Sequence, residues 1–139
     1  PRPSPARFRH LHRQFLRALA TKVLESIAGI GEATAPALLA LLPELGTLKR
    51  RQITSLAGLA PHPNQSAERE GYRRTRGGRR AVKDALFMAA QSAARHHPEL
   101  SALYERLVAR GKKKIVAIAA VRRKLLVIAN AKLRDALTA

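Results

Sequence analysis

The stretch from Lys113 to Leu137, KKIVAIAAVRRKLLVIANAKLRDAL, constrains the architecture more than any other. It contains neither glycine nor proline, and Ile115, Ile118, Val121, Leu125 and Ile128 recur at three- and four-residue steps. Apolar side chains fall on most faces of the resulting helix. A helix of that kind has to be covered from several sides, so it belongs at the centre of a bundle. The charges at Arg122, Arg123 and Lys124 keep its apolar runs far below the ~20 residues that span a bilayer.

Five further helices can be read around it. From Phe8 to Ile27, Phe8, Leu11, Phe15, Leu19 and Val23 form one stripe, with Arg9, Arg13 and Arg17 turned away. A second helix starts at Gly31 or Thr34 and runs to Leu42, where Pro43 stops it. Lys49 to Ala57 makes a third, with Gly58 placed to end it in the left-handed conformation. Arg80 to Arg95 presents Val82, Ala85, Leu86 and Ala89 inward, and Pro98 opens a fifth helix with the stripe Leu100, Leu103, Tyr104 and Leu107. Gly111 breaks that one. No segment alternates with period two for long, so the fold class is all-α: a bundle of about six helices with one long irregular loop. That loop, Pro61 to Gly78, lacks periodicity, and loops of such length in small domains are usually functional.

Charge narrows the partner. Lys and Arg number 27 against 9 Asp and Glu, a formal net charge of +18. A folded chain so basic points to nucleic acid rather than to an acidic small molecule or a membrane. With no cysteine there is neither a disulfide nor a thiolate metal site, which is compatible with a reducing compartment. His96 and His97 lack companion ligands, and His10, His12 and His62 are scattered, so no metal site is expected in the chain. The opening PRPSPARFRH reads as a linker, as in a segment of something larger.

Three features carry chemistry. Leu24 to Leu42, with Gly29-Ile30-Gly31 between two helices, has the pattern of a helix-hairpin-helix. Gly29 and Gly31 would let the backbone approach a phosphate at a helix N-terminus, although Glu32 puts negative charge beside it; a plain helical corner uses glycines in the same way. Arg73, Arg74, Arg76, Arg79, Arg80 and Lys83 form a cluster interrupted only by Asp84, and guanidinium forks match phosphate oxygens. Lys112, Lys113 and Lys114, and Arg122, Arg123 and Lys124, are further backbone-contact patches. Only Tyr72 is aromatic within the arginine cluster, so base stacking along a single strand is not the main mode. The last feature is Ser66, in NQSAERE; its spacing by itself fits a turn or cap serine as well as a nucleophile.

The motifs Ile27-Ala28-Gly29-Ile30-Gly31, Leu56 to Pro61, Gln65-Ser66, Gly77-Gly78, Ala85 to Ala90, Tyr104 to Leu107, Gly111 to Lys114 and Arg123 to Leu126 follow one another over about four-fifths of the chain. In this order they resemble the C-terminal domain of the insertion-sequence 110/116/902 transposases, bridge-RNA-guided DNA recombinases. The resemblance implies that residues 27–139 are the transposase domain and that residues 1–26 end a connecting coiled coil. It also implies that Ser66 is the nucleophile that joins the protein to a DNA phosphate. A RuvC-like domain with four acidic residues binding Mg²⁺ would complete the site from outside these residues, and nine scattered carboxylates cannot replace it. The implied partners are DNA, a guide RNA, the RuvC-like domain and a second copy of the protein, on the nucleoid of a prokaryotic cytoplasm. Ala67 stands where the family usually has glycine after the serine, Arg79 where it often has asparagine, and Lys83 where arginine is common. By itself the chain is expected to bind nucleic acid and cleave nothing. The competing readings are a non-catalytic helix-hairpin-helix module for DNA or RNA, and a basic structural protein of ribosome or nucleoid type.

Overall fold

The computed structural model describes residues 2–59 and 79–138. Over them, helices are the only regular secondary structure: α1 Pro5–Glu25, α2 Thr34–Leu41, α3 Arg50–Leu56, α4 Arg80–His96, α5 Pro98–Ala109 and α6 Lys114–Thr138. The ends follow from local chemistry. Ser4 caps α1, its Oγ accepting the Arg7 N–H at 3.2 Å, and Pro5 fills a first-turn position whose N–H has no helical partner. At the start of α5, His97 Nδ1 accepts the Leu100 N–H and Pro98 plays the same part. Gly58, at φ 73°, and Gly111, at φ 86°, turn the chain after α3 and α5.

α6 occupies the centre, packed by α1, α3, α4 and α5, while α2 bridges α1 and α4. Val121, Leu125, Leu126, Ala129 and Leu133 of α6 are fully buried, against Val82 and Leu86 of α4, Leu100 of α5, Ile53 of α3 and Leu24 of α1 among others. α4 contributes a strip of small residues, Ala89, Ala90, Ala93 and Ala94, which lets neighbouring backbone come close. The central position read from the sequence is therefore observed, with one local difference. Ile115 is 66% exposed because the first turn of α6 overhangs the core.

α1 divides in two. Ala20 and Leu24 reach the core, whereas Phe8 and Phe15 are 62% and 67% exposed. Leu11 is exposed with them, and among the described residues Phe8 stacks only on His12 of its own helix. The apolar stripe thus continues well past the part of the bundle that covers it.

Candidate nucleic-acid interface

The turn between α1 and α2 owes its first glycine to packing. Gly29 has φ 108°, and a Cβ placed there would lie 2.6 Å from Ala93 Cβ and 2.8 Å from the Ala93 Cα and N. The turn sits directly on the alanine strip of α4, so only a residue without a side chain fits, in a conformation only glycine adopts readily. Gly31 faces open space, and its carbonyl accepts the Ala35 N–H. Pro36 falls in the first turn of α2, at its third position, where an N–H has no partner within the helix and proline is tolerated.

Arg79 is already engaged within the protein. Its two terminal nitrogens reach the Glu44 carboxylate at 2.7 and 2.9 Å, and one also donates to the Leu41 carbonyl at 3.1 Å. A cation on the last carbonyl of α2 is favoured by the helix dipole, and the fork on Glu44 is the bidentate geometry arginine prefers. The Arg79 hydrogen bond, followed by a backbone one, holds the Glu44 carboxyl below the usual glutamate range, and the same pairing raises Arg79. Arg79 thus ties the start of α4 to the end of α2.

Arg80 is exposed on the first turn of α4, but Lys83, one turn on, is half-buried beside Arg122 of α6. Burial, then the Arg122 charge, pushes the Lys83 amine below the ordinary lysine range, with Asp84 pulling the other way. Arg122 is lowered by burial and raised by Asp84. Its Nε is buried with no hydrogen-bond partner among the described residues. Two cations are thereby held together with the exposed Asp84 as an acidic neighbour of both, an arrangement that an added anion would stabilise.

Lys112, Lys113 and Lys114 are all exposed at the junction of α5 and α6. No acidic residue occupies the first turn of α6, so the run adds positive charge to the positive end of a helix dipole, where lysine is disfavoured. It lies roughly 14 Å along α6 from Arg123, nine residues at about 1.5 Å each.

The family model described as Transposase IS116/IS110/IS902 family matches residues 21–105, from the last turns of α1 into α5 and more than half of the chain. The chain belongs to this transposase family. The 43.6 kDa protein of insertion element IS110 from Streptomyces coelicolor is 34% identical over 116 residues, 81% of this chain and 28% of the relative. The pilin gene-inverting proteins of Moraxella lacunata and Moraxella bovis are each 33% identical over 117 residues, 81% of this chain and 36% of theirs. The chain spans about a third of the length of these relatives.

Of the candidate site residues read from the sequence, Ser66, Arg73, Arg74 and Arg76 lie outside the described residues. The described ones contain no group of three acidic or histidine side chains able to hold a metal. No described helix is long and apolar enough to cross a membrane. Two residues that sequence reasoning passed over, Glu44 and Asn130, and one it read only as part of a basic patch, Arg122, organise the bundle. Glu44 anchors Arg79, Arg122 backs Lys83, and Asn130 is 2% exposed at the centre of α6. The Asn130 Oδ1 accepts the Gly46 N–H at 2.8 Å and its Nδ2 donates to the Leu48 carbonyl at 2.9 Å. The segment joining α2 to α3 is thereby fixed to the core. The available signal was a polar residue in register with Leu126 and Leu133 on the buried stripe.

Proposed function

We propose that the domain acts in DNA transposition or site-specific recombination and supplies Ser66 as the nucleophile of a composite active site. In the reaction proposed, the Ser66 oxygen bonds to a DNA phosphorus and one phosphorus–oxygen bond of the strand breaks. The departing deoxyribose oxygen takes up a proton, leaving the strand on the protein as a phosphoserine ester. The metal-binding half of the site lies in a four-carboxylate domain supplied from outside these 139 residues.

One observation carries the reading: the family match runs continuously across the Gln65-Ser66 motif, from residue 21 to residue 105. The name of the Moraxella relatives, which invert a pilin gene, supports strand exchange rather than mere binding. The net charge of +18 and the exposed cations Arg80, Lys112, Lys113 and Lys114 suit a polyanionic substrate, with Arg73, Arg74 and Arg76 as further contacts. A guide RNA, a RuvC-like partner domain and a homo-oligomer are parts of the same proposal. The packing of Gly29 on Ala93 favours a structural role for that turn.

The reading is tested by a plasmid recombination assay on a full-length transposase carrying this domain. Ser66→Ala should abolish recombination and leave duplex DNA binding within about twofold. Loss of binding together with recombination would favour instead a non-catalytic binding module that uses Ser66 structurally.

A further inference from the structure

We propose that the cleft between α3, α5 and α6 is a phosphodiester-binding pocket whose cationic rim is Arg50, Arg123 and Lys124. The inference rests on the nucleic-acid reading above, and it places a contact apart from the segment that holds Ser66 and the loop arginines.

The cleft has a volume of about 210 Å³ and is lined by Arg50, Leu103, Ala120, Arg123, Lys124 and Val127. This is below the roughly 300–1,000 Å³ of sites for drug-sized ligands, so it suits one small group rather than an extended cofactor. All three polar residues in the lining are cations, and they come from different elements: Arg50 from the first turn of α3, Arg123 and Lys124 from the middle of α6. Among the described residues, the one ion pair at the rim is Lys124 with Glu99, at 4.0 Å and with Glu99 63% exposed. Arg50 and Arg123 form no ion pair there among the described residues. The three like charges line one cavity and repel one another there. A bound anion reverses that penalty.

The shape selects the anion. Two guanidinium groups and an ammonium match the oxygens of a phosphate. The floor of Leu103, Ala120 and Val127 is apolar and fits the carbon face of an attached sugar better than a free hydrated ion. Beyond the pocket, the preceding residue on α6, Arg122, is half-buried beside Lys83 on α4, so α6 carries cations toward both α3 and α4. Positive charge spread in this way suits a phosphate chain rather than a single phosphate.

The test uses the full 139-residue chain, with a 20-base-pair DNA duplex and an RNA hairpin as separate probes, followed by fluorescence anisotropy across a KCl titration. R50A/R123A/K124A should raise Kd at least tenfold and reduce the log–log salt slope by about one, the loss of one neutralised phosphate. The probe that loses more identifies DNA or RNA as the source of the phosphodiester. Val127→Glu should weaken binding similarly while keeping or raising Tm, because its carboxylate neutralises the rim from within; this separates lost contact from lost fold. Unchanged Kd and slope in both variants, with R73A/R74A/R76A weakened, would overturn the pocket and leave the nucleic-acid reading standing. Failure of the unaltered chain to bind either probe would remove both.

Discussion

Replacing Asn130 by leucine isolates the hydrogen bonds that fix the α2–α3 segment to the core. The two side chains share the same branched heavy-atom skeleton, so no cavity forms; leucine is the bulkier, and its overpacking adds to the polar loss rather than replacing it. The Gly46 N–H is buried and loses its acceptor, and the Leu48 carbonyl, only partly exposed, loses its donor. Both partners are backbone groups, so the protein cannot substitute an apolar match. Leaving the buried N–H unsatisfied costs about 1–3 kcal/mol and losing the second bond about 1 kcal/mol, which together give about 2–4 kcal/mol. Gly46 cannot move away easily: a Cβ there would already lie 2.8 Å from Leu133 Cβ, so that backbone is seated on α6. For a domain of this size the loss corresponds to a Tm lower by roughly 10 °C. Urea unfolding followed by circular dichroism measures it. A ΔG within about 0.5 kcal/mol of the unaltered protein would refute the reasoning, and Asn130 would then be a tolerated polar residue rather than a staple.

The glycines of the first turn should separate sharply. Gly29→Ala is expected to cost about 2–4 kcal/mol, combining overpacking on Ala93 with a positive φ, while Gly31→Ala should stay within about 0.5 kcal/mol by the same unfolding assay. The Arg79–Glu44 pair makes stability pH-dependent. Because the Glu44 carboxyl is lowered in the folded state, its contribution is full above the ordinary carboxylate range, about 4.3, and is lost as pH falls through the folded value. The Tm gap between the unaltered protein and Glu44→Gln should therefore be largest at pH 7 and close towards pH 3; a gap independent of pH would contradict it. The exposed stripe of α1 should drive self-association, which light scattering after size exclusion detects at micromolar concentrations and which Phe15→Glu should weaken. A clean monomer throughout would count against that use of the stripe.

Most of the scaffold was legible because its signals are local. The three- and four-residue periodicity of α4 and α6, Pro98 at a helix start, and Gly58 and Gly111 at helix ends all act within a few positions of themselves. The helix boundaries accordingly fall within about three residues of those read from the sequence. Pairings between residues distant in sequence were not legible. Glu44 and Arg79 stand 35 positions apart, and Asn130 and Gly46 84 apart, so no window of sequence contains both partners. For the same reason Arg79 read as one more arginine of a phosphate-binding cluster, and Arg50 carried no signal until α3 met α6 in space. Gly29 was singled out for the approach of a phosphate, whereas its neighbour in the structure is Ala93, which only the packed bundle reveals. The serine assignment came from the resemblance, since a hydroxyl in a polar loop has no periodicity to distinguish it.

The central claim, that Ser66 becomes covalently joined to DNA, is tested most directly by trapping that bond. A full-length transposase carrying this domain is incubated with Mg²⁺ and its recombination substrate, denatured, digested with nuclease and protease, and read by peptide mass spectrometry. The account predicts a nucleotide ester on the Ser66 peptide, absent from Ser66→Ala although that variant still shifts the DNA. An adduct on another residue, or one that persists in Ser66→Ala, would contradict it.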